Sequence, residues 1–468
     1  MQHGRDRNYI TAISLSAFFI FSSYTLSAQQ ELSLPHLWHL GQQNSINPAA
    51  HHDSTYYINI PDLAVQFGYS EPNLREVLNS SGNVEVVDVD RAIQLLDPTD
   101  NDVAISFSAQ SYRAMYNTSK WSIQQFQKTR FQGDSQYPKA LAELGWRGNA
   151  PFIGNTLDIG PSFNFFSYQE TGIGGSYQLG KWRVGASIKL LAGIGVATTQ
   201  QSSASLRTEE DIYQLELETD YEILTADFDA SDSFVNFGVA SLDFSDITLL
   251  NFNLPTLDFN VLGSLFNFRG GGRNRGIAFD VGAVYEMNEQ WRFGLSILDV
   301  GRIKWRENAF KYESQGTTTF NGINLGRLDF ASSEEIFSFD SLKDTLEQVI
   351  EFSKTTTEFK TTLAPQAYLH GQYRYNPFWT FGGALYGRFG DNQQWGASVA
   401  ANYEWKLLNV GLIYAVEEEE WANLGLNVAI RVGPLHLYGM TNNIFTVFQP
   451  QQITSQNARV GLGFIFGG

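Results

Sequence analysis

The chain has 468 residues, with 31 Lys and Arg against 49 Asp and Glu, so its formal net charge at pH 7 is −18. A chain this acidic is a poor nucleic-acid binder, because phosphate recognition needs clustered Lys and Arg. It contains no cysteine, which excludes disulfides and a lipid anchor attached through cysteine. Aromatic residues make up 14%, and a mean hydropathy of −0.21 fits a soluble domain and a barrel with a polar lumen equally well.

Residues 1–28 have the layout of a secretory signal peptide. Arg5 and Arg7 precede an apolar core rich in small residues, and Leu26-Ser27-Ala28 resembles a cleavage site. An uncleaved transmembrane anchor is the alternative, although the core is short and rich in Ser and Thr for that role. The two arginines and Asp6 give this segment a net charge of +1, so the chain from Gln29 onward carries −19. Residues 29–56 are predicted to form an N-terminal periplasmic strap or plug.

The stretch WGASVAANYEWKLLNVGLIYAV, residues 395–416, alternates with a period of two around a short polar turn. Ala397, Val399 and Tyr403 fall on one side, while small and polar residues such as Ser398 and Asn402 fall on the other. This period predicts an antiparallel hairpin. The small-and-polar face lacks the bulk for half of a sandwich core, so we expect something other than protein to cover the apolar face.

Segments of this kind recur, separated alternately by tight turns and longer loops, which is typical of an outer-membrane β-barrel. No later stretch approaches the roughly 18 consecutive apolar residues of a transmembrane helix. Strands are predicted near 57–68, 102–113, 120–130, 168–179, 182–195, 276–287, 291–314, 361–375, 378–388, 395–405, 408–416, 422–432, 434–442 and 457–466. We therefore predict an all-β fold, a transmembrane antiparallel barrel of about fourteen strands over residues 57–468, with twelve or sixteen strands as alternatives.

Several segments depart from this regular pattern. Asp299-Val300-Gly301 predicts a bulge or bend inside the long run 291–314. Residues 156–169 are either one more strand or a segment folded into the lumen. Residues 196–275 and 315–360 are predicted as long extracellular loops, and the apolar spacing in DSLKDTLEQVIEFSK predicts a short surface helix within the second of them. YPKALAELGW is predicted as another helix.

Five stretches resemble a Bacteroidota family of outer-membrane proteins that is catalogued as a domain of unknown function. They are NSINPAA, YYINIPDL, the long run from GNTLDIGPSF to LLAGIGVA, SILDVGRIKW and GMTNNIFTVFQPQ. The resemblance covers nearly the whole chain after residue 28, and the order of the motifs is more specific than any one of them. It implies a barrel like those of long-chain fatty-acid transporters and of the shuttle porins of type IX secretion, and it implies no substrate. The ending Phe466-Gly467-Gly468 departs from the terminal aromatic residue of many such barrels.

No catalytic constellation, cofactor motif or metal motif stands out, and the chain is not predicted to be an enzyme. His36-x-x-His39 and His51-His52 lack the cysteine or fixed acidic partner of a metal site, so they fit a periplasmic strap. Arg269–Gly276 is a basic, Gly-rich loop whose arginines are predicted to meet lipopolysaccharide phosphates. The acidic run 417–420 either holds divalent cations or is a solvated turn, and the second interpretation is simpler.

Aromatic residues near strand ends are predicted to form girdles at the membrane surface. They are Trp182, Tyr285, Trp291, Tyr375, Trp379, Trp395, Tyr403 and Tyr414. The polar partners in the alternation are the predicted lumen-lining residues: Asp280, Arg292, Asn402, Glu404, Asn427, Arg431 and Arg459. Both signs of charge face inward, so these side chains either pair with one another or form a selectivity filter.

Two functions remain open from the sequence. The first is a barrel that passes a small hydrophobic or amphipathic solute across the outer membrane, an expectation that rests on analogy of fold. The second is a non-transporting barrel that serves as an interaction or structural component of a secretion or surface-attachment complex. The expected partners are outer-membrane lipid and lipopolysaccharide, with a hydrophobic solute for the first function and a secretion-system protein for the second.

Overall fold

The computed structural model describes residues 32–38, 40–70, 72–81, 84–210, 214–227, 272–320, 352–390, 393–417, 423–445 and 454–467. The predicted signal peptide and the helix predicted in DSLKDTLEQVIEFSK lie outside these ranges, apart from Phe352-Ser353-Lys354 at the end of the latter. None of the described helices has the length and apolar character needed to span a membrane.

Strands account for most of the described residues. In chain order they are β1 (Tyr56–Tyr69), β2 (Leu78–Ser81), β3 (Val84–Val87), β4 (Asn101–Asn117), β5 (Trp121–Tyr137), β6 (Thr156–Asp158), β7 (Ser162–Leu179), β8 (Trp182–Thr208), β9 (Leu215–Ala226), β10 (Arg275–Glu286), β11 (Trp291–Trp305), β12 (Ala309–Phe320), β13 (Ser353–Thr356), β14 (Phe359–Thr362), β15 (Gln366–Arg374), β16 (Trp379–Arg388), β17 (Gln394–Trp405), β18 (Leu408–Glu417), β19 (Asn423–Val432), β20 (Leu435–Thr441) and β21 (Ser455–Phe466).

The helices are short. The α-helices are α1 (Leu74–Val77), α2 (Val89–Leu95) and α3 (Lys139–Arg147), and 3-10 turns lie at Leu34–His36, Gly41–Ser45 and Ala150–Phe152. Helix α3 confirms the helix predicted in YPKALAELGW.

Fourteen of these strands form a closed antiparallel barrel, which confirms the predicted fold and strand number. They are β1, β4, β5, β7, β8, β10, β11 and β15 to β21. Strand β21 pairs with β1 over Tyr56↔Phe466 to Gly68↔Ser455, so the first and last strands close the sheet. Closure matters physically because a bilayer offers no water to satisfy an open strand edge.

Two predicted strands were wrong, because each run is divided between two observed strands. The run 291–314 ends at Trp305, and β12 leaves the barrel to pair with β9 and β13. The run 361–375 is interrupted by Leu363–Pro365, where a proline cannot donate to the ladder. The predicted bulge is confirmed, because the register between β10 and β11 shifts at Phe279/Val281 and Asp299 has a φ of 60°.

A small sheet continues beyond the barrel wall. Strand β8 extends to Thr208 and pairs with β9, which pairs with β12, which in turn pairs with β13. The region 196–275 that the sequence predicted as a loop therefore begins with strand, and its residues 228–271 lie outside the described ranges. The region 156–169 contains β6, which pairs with this extension of β8, and the start of β7.

The barrel strands alternate as the sequence predicted. In β17, Trp395 and Val399 are exposed on the outer face, whereas Gly396, Ser398 and Ala400 are buried on the inner face. Aromatic rings cluster next to the tight turns, with centroid distances of 4.6 Å for Trp182–Tyr285, 4.6 Å for Trp291–Tyr373 and 5.0 Å for Trp379–Tyr403. Such rings suit the membrane–water interface, since each has an apolar body and a polar atom.

Candidate functional site

The lumen contains the first described part of the chain. This N-terminal segment, Leu32–Ala50, enters the barrel wall only at β1, and most of its described side chains are buried. Its leucines pack against the inner faces of distant strands in one cluster. The cluster contains Leu32, Leu34, Leu37, Leu40, Ile46, Leu298, Tyr368, Tyr386, Ala415, Ala429, Tyr438 and Met440.

Small inward residues make room for these leucines. A Cβ built on Gly396 would lie 3.0 Å from Leu32 Cδ1, and one built on Gly382 would lie 2.5 Å from His36 Nδ1. The small-and-polar inner face of β17 therefore faces the chain's own N-terminal segment. Burial of a leucine side chain stabilises a fold by about 1.5–3 kcal/mol, so the four leucines contribute substantially to holding the segment in place.

Hydrogen bonds attach the N-terminal segment to strands all around the lumen. Asn402 Nδ2 donates to His36 O at 3.2 Å, and Gln42 Nε2 donates to Asp62 Oδ2 at 2.9 Å. Asn47 Nδ2 lies 3.2 Å from Ala283 O and 3.3 Å from Leu295 O. The segment is therefore held by β17, β1, β10 and β11 at once, and it crosses the lumen.

His36 is the titratable residue at the centre of the N-terminal segment. Its Nε2 lies 2.8 Å from Ser398 Oγ, and its Nδ1 has no hydrogen-bond partner among the described residues. Burial, and to a smaller extent the neighbouring His370, lowers the pKa of His36 to about 3. His36 is therefore neutral at physiological pH. Of the other predicted histidines, His39 lies outside the described ranges, and His52 Nδ1 is 2.7 Å from Ser54 Oγ.

A group of buried charges is formed by residues of β5, β7, β8, β10 and β11. Lys189 Nζ is 2.6 Å from Asp299 Oδ1 and 2.7 Å from Asp280 Oδ1. Arg130 is 2.9 Å from Asp299 Oδ2 and 3.2 Å from Glu170 Oε1. The left-handed conformation of Asp299 at the bulge lets its carboxylate reach two cations, while its backbone N–H donates to Asp280 Oδ1 at 2.9 Å.

A second charge pair lies nearer the closing strands. Asp62 is completely buried, and its Oδ1 is 2.9 Å from Arg459 Nε. The Tyr438 hydroxyl and Gln42 Nε2 also donate to this carboxylate. Tyr57 OH donates to Gln42 Oε1 at 2.5 Å, so the network joins the N-terminal segment to both closing strands.

The seven predicted lumen residues fall into two sets. Asp280, Asn402, Asn427 and Arg459 are buried, and each contacts another lumen group. Arg292 is more exposed; its guanidinium lies 5.2 Å from the Trp38 ring and 3.2 Å from Glu286. Glu404 and Arg431 lie on the same faces as Asn402 and Asn427, but they are exposed near the tight turns.

Several central lumen residues were missed in the sequence. Arg113 lies on the inner face of β4, and Lys128 and Arg130 lie on the inner face of β5. Lys189 and Asp299 of the charge group were missed as well. The inward run Gln124, Phe126, Lys128, Arg130 in QQFQKTR carries the period of two that indicates them. Few of the outward-facing residues that alternate with this run are apolar, so the run was not predicted to line the lumen.

A cavity of about 100 Å³ separates the N-terminal segment from the charged side of the wall. Ser33, Ser45 and Ile46 line it from the segment, and Lys128, Arg130 and Arg459 line it from the wall. Leu298 of β11, Tyr368 of β15 and Met440 of β20 also line it, together with polar residues of the wall such as Gln66 and Gln366. The described residues contain no group of three or more His, Asp or Glu placed to hold a metal ion.

Comparisons with known proteins found similar solved structures at low sequence identity. One of them is the toluene transporter TodX of P. putida, with 10% identity, a TM-score of 0.43, and coverage of 92% of this chain and 95% of that one. Another is the toluene transporter TbuX of Ralstonia pickettii, with 9% identity, a TM-score of 0.34, and coverage of 92% of this chain and 94% of that one. A third is the COG4313 outer membrane channel of Pseudomonas putida F1, with 10% identity, a TM-score of 0.30, and coverage of 88% of this chain and 97% of that one.

No curated protein sequence matches this chain. A model of one protein family, described as a family of unknown function, matches residues 48–442. This range covers most of the chain and contains, in full, three of the five stretches on which the resemblance was based. The chain belongs to the family of unknown function DUF5723.

Proposed function

We propose that this protein is an outer-membrane barrel that passes a small hydrophobic or amphipathic solute when its N-terminal segment moves. The observation that carries the proposal is the lumen cavity, one wall of which is the N-terminal segment instead of the barrel. Protein interiors leave few voids larger than a water molecule, so a mixed polar and apolar cavity of about 100 Å³ fits a ligand site better than a plug that only fills space.

The construction of the N-terminal segment supports movement. Its described residues, 32–38 and 40–50, form 3-10 turns and no α-helix or strand, and they are joined to the wall by side-chain hydrogen bonds and leucine contacts. Each such hydrogen bond contributes only about 0.5–1.5 kcal/mol net. The segment can therefore leave the wall without breaking any ladder hydrogen bond of the barrel.

The proposal includes the route to the membrane. A signal peptide over residues 1–28 exports the chain, outer-membrane lipid and lipopolysaccharide cover the apolar outer face, and residues 29–56 act as the periplasmic plug. The seven predicted lumen residues, Arg292 and Arg431 among them, then line the path or anchor the plug.

A reversible tether tests whether the plug moves. A Cβ built on Gly282 lies 3.0 Å from Asn47 Cγ, so cysteines at both positions are within disulfide range. The chain has no cysteine of its own. The double variant Asn47→Cys/Gly282→Cys is reconstituted into planar bilayers and liposomes, and its conductance and solute-driven swelling are measured when oxidised and again after reduction.

We expect the reduced protein to conduct or to admit hexanol and hexanoate, and the oxidised protein to be closed. The two single-cysteine variants serve as controls, and they should show no dependence on oxidation. Equal passage in the oxidised and reduced states would show that the plug is static. Silence in both states would remove the solute-passing function.

A second function is favoured by one observation. Strands β8, β9, β12 and β13 form a sheet outside the closed barrel, and β9 places Glu216, Glu218, Asp220 and Glu222 on one of its faces. Such a sheet suits an interaction component of a secretion or surface-attachment complex. Site-specific photo-crosslinking from position 218 in intact cells tests it; a discrete adduct, absent when the crosslinker is at Thr380 on the inner face of β16, would support it.

A further inference from the structure

We propose that the outer wall of the barrel carries a binding site for the phosphate group of a lipid in the outer leaflet. The site is a basic row, which consists of Arg275, Arg302, Lys304 and Lys360 on three adjacent strands. It lies at the end of β10 and β11 opposite their tight turn at 287–290. The inference rests on the membrane position of the barrel, which is part of the proposed function, and it does not require solute passage.

Strand pairing brings the basic row together. Lys304 of β11 pairs with Arg275 of β10 on one side and with Lys360 of β14 on the other. Side chains that are directly opposite in a sheet have Cβ atoms about 4.5–5.5 Å apart. Arg302 precedes Lys304 by two residues and therefore lies on the same face, whereas the intervening Ile303 is buried on the inner face. Four positive charges from three strands thus share one small area of the outer wall.

Three members of the basic row have no partner among the described residues. The side chains of Arg302, Lys304 and Lys360 make neither an ion pair nor a hydrogen bond with another residue that the structure describes. Arg275, the fourth member, donates from Nε to the neutral Gly272 O at 2.6 Å. Like charges directly opposite one another in a sheet are destabilising. A phosphate between these side chains removes the repulsion and accepts charge-assisted hydrogen bonds from both residue types.

The two carboxylates next to these strands in the chain have other partners. Glu358 lies 3.4 Å from Arg306, which follows β11. Glu307 Oε2 accepts a hydrogen bond from the backbone N–H of Arg273 at 3.0 Å. The charges of the basic row are therefore available to an anion from outside the chain.

Apolar residues continue the same face towards the tight turn, which favours a lipid over free phosphate. Ile277 pairs with Arg302 and with Leu190, and Phe279 pairs with Val300. These four apolar side chains are between 40% and 64% exposed. Acyl chains can pack against them while the phosphate lies in the basic row. Free phosphate would contact only the charged part of this surface.

The height of the basic row on the wall matches a membrane surface. Trp291 lies beside the tight turn, with its ring centroid 4.6 Å from that of Tyr373, and Arg302 follows it by eleven residues on β11. With a rise of about 3.3 Å per residue and a tilt of about 40°, this stretch spans about 25–28 Å across the membrane, close to the apolar band of about 25 Å in outer-membrane barrels. Short turns are periplasmic in such barrels, so the basic row faces the outer leaflet.

Native mass spectrometry of the full-length protein in detergent micelles tests the site. The probes are bis-phosphorylated lipid A, the same lipid after removal of both phosphates, and inorganic phosphate. The variant Lys304→Gln/Lys360→Gln removes two charges from the basic row. The matched control, Lys120→Gln/Arg374→Gln, removes two exposed charges beside tight turns at the other end of the barrel.

We expect the wild type to bind bis-phosphorylated lipid A at least about tenfold more tightly than the dephosphorylated lipid, because charge-assisted hydrogen bonds to phosphate are strong. Lys304→Gln/Lys360→Gln should lose this preference, while the control and the charge-conserving variant Lys304→Arg/Lys360→Arg should keep it. Inorganic phosphate in millimolar excess should not displace the lipid. Each variant should keep the shift in gel mobility on heating that marks a folded barrel, and a double variant that loses this shift is replaced by Lys360→Gln alone.

Three results would overturn the inference. Equal affinity for the two lipids, or an unchanged preference in Lys304→Gln/Lys360→Gln, would show that the basic row does not hold a phosphate. An equal loss in the control variant would show an effect of total charge instead of a site. Displacement of the lipid by inorganic phosphate would assign the row to free phosphate. The tether experiment measures movement of the plug separately, so the failure of either proposal leaves the other distinguishable.

Discussion

At the scale of single residues, two adjacent glycines of β16 have opposite surroundings. A Cβ on Gly382 would lie 2.5 Å from His36 Nδ1, whereas a Cβ on Gly383, on the outer face, would lie 3.9 Å from its nearest neighbour, Ser398 O. We expect Gly382→Ala to displace the N-terminal segment and to increase hydrogen exchange of the amides in residues 32–38 at least tenfold. Gly383→Ala should leave this exchange unchanged. Equal exchange in both variants would contradict the close packing of His36 on the wall.

The burial of His36 predicts a pH dependence of the plug. The pKa of His36 is about 3 in the folded lumen, against 6.5 for an exposed histidine. Between about pH 3 and pH 6.5, His36 is protonated in a released segment but stays neutral in the bound segment. The segment therefore binds the barrel less tightly as the pH falls from 6.5 towards 3. At pH 5 the free energy that holds the segment in the lumen is smaller by about 2 kcal/mol, because each pH unit below 6.5 costs about 1.36 kcal/mol.

Hydrogen exchange of residues 32–38 at pH 7.5 and pH 5, corrected for the intrinsic rate, measures this effect. The groups that face His36 are Ser398 of β17, Gly382 of β16 and His370 of β15, and His370 is the titratable one. His36→Gln should remove most of the acid-induced opening, while His370→Gln should remove less. An unchanged acid response in His36→Gln would assign the effect to another group.

At the scale of elements, β8 carries the buried cations Arg183 and Lys189 inside the barrel and Arg207 in its extension outside it. Lys189 is 3% exposed and pairs with Asp280 and Asp299, whereas Arg207 is 51% exposed and pairs with Glu209 at 3.0 Å. Removing one partner of a buried ion pair costs about 3–5 kcal/mol, because the remaining charges are left unpaired. An exposed pair contributes about 0–1 kcal/mol.

We therefore expect Lys189→Met to lower the free energy of unfolding by about 3–5 kcal/mol and Arg207→Met to change it by less than about 1 kcal/mol. Urea titration of the barrel in lipid vesicles, followed by tryptophan fluorescence, measures both. A small effect of Lys189→Met would show that Arg130 alone neutralises the bulge. The bulge also divides the pairing of β11: its residues 291–298, before the bulge, pair with β15, and its residues 302–305, after the bulge, pair with β14.

At the scale of the whole molecule, the closed barrel inverts the usual relation between exposure and polarity. Val399 on β17 is 58% exposed and yet apolar, which fits the lipid contact that we propose for this face. Arginine at the middle of a lipid-facing strand costs about 2–4 kcal/mol, so we expect Val399→Arg to destabilise the barrel by that amount in vesicles. Thr317→Arg, at an exposed position of β12 outside the barrel, should have no measurable effect. Equal stability of the two variants would contradict the membrane position of β17.

The sequence by itself determined the barrel. Alternation with a period of two and tight turns are local properties, and they predicted all fourteen barrel strands, although β5, β7 and β8 extend further than predicted and the strand bounds near Asp299 and Pro365 differ. The same alternation identified Asp280, Asn402, Asn427 and Arg459 as inward, because the pleat alone sends successive side chains to opposite faces.

Only the tertiary structure decided what those inward residues meet. Asp62 and Arg459 are 397 residues apart and pair because β21 closes on β1. Lys189 reaches Asp299 because the bulge turns that carboxylate inward, and the leucines of residues 32–40 fill the side of the lumen where β16 to β19 carry small residues. Periodicity fixes the face of a residue, whereas its partner depends on how the sheet closes around the chain's own N-terminal segment, and that is a non-local property.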